Sequence, residues 1–207
     1  MNTEQDQLQA LRDIRNIMDR SSRFLSLSGL SGVFAGLAAL CGAALVRWYF
    51  TQRAAYGEGT MHLTPQDITF LACTAAAVLI AALVLAVYFT VANARRKQLP
   101  VWDKQSQRLV INLAIPLAAG GAFCALLLHH HALQLIIPAM LMFYGLTLIN
   151  GSKYTLGDIR YLGLCELALG IMAGLLPGYP LVWWTIGFGL LHVLYGTIMY
   201  FKYEREG

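Results

Sequence analysis

The chain has 207 residues, 57% of them hydrophobic and only 13% charged. A water-soluble domain carries about 25% charged residues, so this composition excludes an ordinary soluble enzyme and leaves no room for a water-soluble domain beside the apolar mass. The formal net charge of +4 comes without a separate basic, aromatic-interleaved motif, and nucleic-acid binding is set aside on that ground.

The N-terminal segment opens with Thr3-Glu4-Gln5-Asp6, which has the form of a capping box. Leu8, Leu11, Ile14 and Met18 follow at helical spacing among Arg, Asp and Gln. Residues 1–23 therefore read as an amphipathic cytoplasmic helix. Its apolar stripe can lie in the lipid interface, pack on cytoplasmic loops, or bind a partner protein or a second copy of the chain. Mixed Asp and Arg on the polar face weigh against plain lipid binding. The polar start and the length of the first apolar stretch argue against a cleavable signal peptide.

Beyond it, residues 24–46, 68–94, 109–128, 132–152 and 167–201 contain no Lys, Arg, Asp or Glu, and the turn Pro177-Gly178-Tyr179-Pro180 breaks the last stretch. About 20 apolar residues of helix cross a hydrocarbon layer roughly 30 Å thick. The pattern predicts an all-α integral membrane protein with six transmembrane helices near 24–50, 67–94, 108–128, 132–151, 160–176 and 181–202, then a short tail over 204–207. Arg12, Arg15, Arg20, Arg23, Arg95, Arg96, Lys97, Lys104, Arg108, Lys153, Arg160, Lys202 and Arg205 fall on one side, and only Arg47 and Arg53 on the other. Basic residues are retained in the cytoplasm far more often than they are translocated. Both termini are therefore expected in the cytoplasm.

The odd helices begin alike, at Arg23-Phe24-Leu25, Arg108-Leu109-Val110 and Arg160-Tyr161-Leu162, and Val33-Phe34-Ala35-Gly36-Leu37 resembles Ile171-Met172-Ala173-Gly174-Leu175. The even helices end alike, at Tyr88-Phe89-Thr90, Tyr144-Gly145-Leu146 and Tyr195-Gly196-Thr197. These matches suggest one helical hairpin used three times. Gly29, Gly32 and Gly36 share one helical face, as do Gly163, Gly170 and Gly174, and small residues are what membrane helices use to approach closely. Helices 5 and 6, joined by a tight turn, are expected to be antiparallel neighbours.

The last hairpin, from Leu162-Gly163 through Gly170-Ile171 to Pro177 and from Gly187-Phe188-Gly189 through Tyr195-Gly196, resembles the two-helix repeat of the HdeD-like, acid-resistance-associated membrane proteins. The likeness is clearest over residues 160–202. It implies a six-helix bacterial inner-membrane protein built from three such repeats, with a loose connection to envelope stress and no catalytic motif. The run from Ile14 to Arg23 is also similar to the opening of a second group of bacterial multi-pass proteins.

Polar groups at membrane depth are candidates for function. Glu166 lies six residues past Arg160, His192 and Tyr195 share a face of helix 6, and the repeat places Tyr88 and Tyr144 at similar depth. In one reading a neutral Glu166 bonds across helices while the tyrosines belong to an interfacial belt. In the other, a carboxyl among His192 and the tyrosines exchanges protons. The first is preferred, since no second intramembrane acid supplies a relay.

His129-His130-His131 forms an outer turn that His62 can approach, but three neighbours along a tight turn cannot converge on one ion. It is read as a solvated turn, without a metal. Cys41, Cys73, Cys124 and Cys165 fall inside helices and read as small packing residues. No GxSxG, GxxxxGK[ST] or HExxH occurs, and no cofactor is implied. The leading expectation is a non-enzymatic membrane protein whose N-terminal helix mediates assembly or partner binding, ahead of a proton-coupled carrier and of a lipid-acting enzyme.

Overall fold

The computed structural model describes residues 27–55 and 63–204, together with Gln9. The amphipathic segment with Leu8, Leu11, Ile14 and Met18, the start of the first predicted membrane helix, and His62 lie outside the described residues. All regular structure described is helical: α1 Gly29–Ala55, α2 Pro65–Arg96, α3 Lys104–His129, α4 Ile136–Gly151 after a 3-10 turn at Leu133–Leu135, α5 Ile159–Leu175, and α6 Pro180–Tyr203. Within α6, residues Thr185–Leu191 form a π-helical segment between two α-helical parts.

Local chemistry sets several of these boundaries. Thr64 caps α2: its hydroxyl accepts from the Asp67 backbone N–H while the Asp67 carboxylate accepts from the Thr64 N–H, with Pro65 at the first helical position. Asp103 and Ser106 form the same reciprocal box at the start of α3, so both helices begin with their orphan N–H groups satisfied. Gln98 and His131, both at positive φ, turn the chain after α2 and after α3.

Large apolar side chains face outward. Ile80, Val84 and Val87 of α2 are each 62% exposed, and Leu175 of α5 is 74% exposed, whereas Ala39, Ala94, Ala139 and Ala173 are buried. Water cannot be the solvent for such a surface, and a bilayer can. Five helices, α1 to α4 and α6, are long and apolar enough to cross a membrane. The fold is that of a multi-pass membrane protein.

Packing divides the helices into two groups. Helix α1 packs on α2 and α6, and α4 packs on α3 and α5. The expected close pairing of α5 with α6 is not the main contact of either helix; they meet near their connecting turn and at the π segment. Glycine explains the difference, because the closest backbone approaches lie elsewhere. A Cβ on Gly196 of α6 would stand 2.7 Å from the Gly29 carbonyl oxygen and 2.5 Å from the Val33 nitrogen of α1. A Cβ on Gly145 of α4 would stand 2.6 Å from the Gly163 oxygen and 2.7 Å from the Leu167 nitrogen of α5. Two turns along, Gly36 meets the Gly189 oxygen and Val193 nitrogen at 2.7 and 2.8 Å, and Gly170 meets the Pro138 oxygen and Met142 nitrogen at 3.0 and 2.9 Å.

The two seams thus share one register. Gly29, Val33 and Gly36 hold in the first the places that Gly163, Leu167 and Gly170 hold in the second. The sequence match that sets Gly36 beside Gly174 is one helical turn away from this packing correspondence. Gly174 touches its neighbour only loosely, with a Cβ there 3.7 Å from Pro138. In helices so rich in Gly, Ala and Leu, composition tolerates a slip that backbone contact does not.

The basic ends of the helices are tied together. The Glu204 carboxylate accepts from the Gly29 N–H and from the Ser28 hydroxyl (3.0 Å), so the end of α6 caps the start of α1. Arg96 donates to the Glu204 carbonyl at 2.8 Å, and Lys97 donates to that of Tyr203 at 3.1 Å. At the opposite end the Asp67 carboxylate, 1% exposed, receives Arg53 and the Tyr49 hydroxyl.

Candidate functional site

Glu166, His192 and Tyr144 meet where the two helix groups join. The Gly seams press α5 onto α4 and α6 onto α1. The π segment, whose wide turns are frequent at functional positions, then carries α6 against α5. Gly187 in that segment provides the space: a Cβ there would stand 2.7 Å from Glu166 Oε2 and 2.5 Å from a methyl of Leu141.

The His192 ring fixes the polarity of the cluster. Its Nδ1 lies 3.0 Å from the Gly187 carbonyl oxygen and its Nε2 2.7 Å from the Tyr144 hydroxyl. A carbonyl only accepts, so Nδ1 carries a hydrogen; in the neutral ring Nε2 then accepts from Tyr144. Phe188 stacks over the imidazole with centroids 6.2 Å apart, and Tyr144 tilts against it at 5.3 Å.

Glu166 is the exception to this satisfaction. The residue is 0% exposed, and neither carboxyl oxygen has a hydrogen-bond partner among the described residues. The nearest ionisable atom is His192 Nδ1, 3.5 Å from Oε1. A carboxylate here without a cation would be a bare charge in a dry site, which is costly. Two arrangements avoid that cost, a neutral acid beside a neutral imidazole or an ion pair with a protonated one. They hold the same number of protons and differ in which group carries one of them.

The other predicted members lie apart. The Tyr195 hydroxyl donates to the Asp158 carbonyl in the α4–α5 connection, where the Asp158 carboxylate receives Lys202 at 2.5 Å and Tyr203 at 2.9 Å. The Lys202 ammonium beside it, helped by Tyr203 and opposed by partial burial, holds the Asp158 carboxyl below its usual value. Tyr88 stands on the outward face of α2, 66% exposed. Equal depth along the bilayer normal places residues at one level but leaves their direction around each helix open.

The cysteines are free, and Cys41, Cys73 and Cys165 face outward instead of filling the interior, while Cys124 is half-buried. His129 and His130 pack ring edge to face in an exposed turn. Among the described residues no group of three or more His, Cys, Asp or Glu could hold a metal ion. Three polar clusters, around Asp67, Asp158 and Glu204, escaped the sequence reading. The Thr64-Pro65-Gln66-Asp67 capping pattern signalled the outer one around Asp67, and nothing local pointed from Glu204 to Ser28.

No family model matches the chain, and neither a curated protein nor a solved structure matches it significantly. The class therefore rests on the fold itself: a helical, multi-pass membrane protein with a closed polar cluster between two glycine-packed helix pairs.

Proposed function

We propose that this chain is a non-enzymatic bacterial inner-membrane protein, built from three helical hairpins with both termini cytoplasmic, whose role is structural or regulatory in the envelope. In this reading α5 is the sixth crossing; its 17 residues make a rod of about 26 Å, which slight thinning of the bilayer accommodates. The HdeD-like resemblance over residues 160–202 supports a part in envelope stress. The N-terminal segment, residues 1–23, mediates assembly with a second copy or with a cytoplasmic partner.

One observation carries this reading. The polar cluster is shut: Glu166 is 0% exposed, with Gly187 pressed against it beside Leu141 and Leu169. A reaction needs an accessible nucleophile or acid–base pair, and a carrier needs an opening. Deleting residues 1–20 tests the assembly role. The truncated protein should still insert, while its oligomer or co-purifying partner is lost on gel filtration; unchanged assembly would sink the proposal.

The missing hydrogen bonds of Glu166 favour a second reading, a proton-coupled carrier. An acid and a base 3.5 Å apart, where two helix groups meet, are suited to gain or lose one proton as the groups shift. Repeat-built bundles with midplane sites are a common carrier design. In this reading Tyr144 takes the place first assigned to Tyr195. Proton flux into liposomes that disappears in Glu166→Gln supports it, and equal flux in parent and variant removes it.

A further inference from the structure

The three tyrosines near the basic ends of the even helices differ in what they meet. Tyr144 reaches His192 and Tyr195 reaches Asp158, whereas the Tyr88 hydroxyl has no partner among the described residues. Tyr88 stands in a surface groove of about 790 Å³, which runs along α2 past Leu83, Val84, Val87 and Val91 to Arg95. From Leu83 to Arg95 the helix rises about 18 Å, on the order of one leaflet of the hydrocarbon core. The groove is thus apolar for the length of an acyl chain and cationic at its mouth.

The charge at that mouth is unspent. Arg96 and Lys97 are turned onto the α6 carbonyls, while the Arg95 guanidinium is exposed and has no partner among the described residues. Lys104 and Arg108 begin the next helix nearby in sequence. The three described acids of this end are engaged elsewhere, Asp103 with Ser106, Asp158 with Lys202 and Tyr203, and Glu204 with Ser28 and Gly29. An anion at Arg95 would meet no free carboxylate from any of them.

We propose that this groove on α2 is a binding site for an anionic phospholipid, one acyl chain lying along Leu83, Val87 and Val91 and the headgroup phosphate on Arg95. Tyr88 borders the glycerol region and offers its hydroxyl to an ester oxygen. The site rests on the membrane reading but is independent of the N-terminal helix and of the Glu166 cluster. A zwitterionic lipid fills the same groove without the net charge that Arg95 selects.

The full chain, reconstituted in phosphatidylcholine vesicles with and without phosphatidylglycerol, provides the test, with retained lipids counted by native mass spectrometry. The parent should retain phosphatidylglycerol about fivefold over its bulk share, the factor one interfacial basic residue supplies. Arg95→Gln, an exposed change that leaves the packing alone, should bring that ratio close to one, and Val87→Trp should reduce retention of both lipids. No enrichment in the parent, or enrichment unchanged in Arg95→Gln, would overturn the site. Displacement of the lipid by soluble glycerol phosphate would overturn it too, since the chain groove would then contribute nothing. Failure of the parent to float with the vesicles would instead remove the membrane reading, and the site with it.

Discussion

The α1–α6 and α4–α5 seams repeat one set of backbone contacts, yet they differ at the position between their glycines. Gly32 lies there in α1, three residues after Gly29 and four before Gly36; Glu166 lies there in α5, between Gly163 and Gly170. A Cβ at Gly32 would already stand 3.1 Å from the Gly196 Cα, so that seam closes on backbone alone. In the other seam the side chain has an exit: Glu166 turns away toward Gly187 and His192 of α6. The same packing device therefore gives a plain seam in one place and carries an acid into a junction in the other. Backbone register and chemical content are separable in this fold.

The largest test of the comparison is steric. Gly145→Leu and Gly196→Leu each drive a side chain into the opposite backbone, which cannot rotate away, and each should cost about 3 kcal/mol or more. Gly121→Leu is the control: a Cβ there meets nothing within 4 Å, so its cost should stay within about 1 kcal/mol. Denaturant titration in detergent reads all three. Unequal losses at Gly145 and Gly196 would break the equivalence of the seams.

A smaller effect separates the seams by chemistry. Glu166→Met combined with His192→Leu and Tyr144→Phe turns the junction apolar at similar volume. Stability should be unchanged or rise by about 1–3 kcal/mol, as when other buried acid–base pairs are replaced by packed apolar groups. A large loss on the same titration would reveal a stabilising partner of the carboxyl. Tyr144→Phe should cost about 1 kcal/mol, the hydrogen bond it gives to His192.

The smallest effect lies outside the seams, where Asp158 ties the α4–α5 connection to the end of α6. Its pKa is lowered in the folded protein. Its contribution is therefore full above the unfolded value of about 3.9 and is lost as pH falls from there through the lower folded value. Asp158→Asn should remove that acid dependence while shifting the melting midpoint at pH 7 by under about 2 °C, because Lys202 is exposed to solvent. A parent and variant with parallel melting curves from pH 5 to pH 3 would contradict it.

How much of this was legible beforehand varies with the kind of force involved. That long apolar helices fill the chain followed from unbroken apolar runs, because a chain in hydrocarbon must satisfy its own backbone. The helices α2 and α3 begin at Pro65 and Lys104, ahead of the expected 67 and 108, because polar capping residues extend each helix before its apolar run. Glu166, His192 and Tyr144 could be named because polar side chains are rare at such depth. Tyr88 was named with them on depth alone and faces outward; Tyr195 was named on depth and on the face it shares with His192, and it reaches Asp158 instead. The clamp from Glu204 to Ser28 spans nearly the whole chain and left no local trace.

By itself, then, the sequence determined that the chain is made of long apolar helices, since hydropathy acts residue by residue. Which helices touch was decided only in three dimensions. Lipid tails solvate Leu and Val on any face equally well, so the apolar pattern expresses no preference among neighbours. The choice fell to a few glycines whose missing side chains let two backbones meet, and to one carboxyl group that their register left without a hydrogen bond among the described residues.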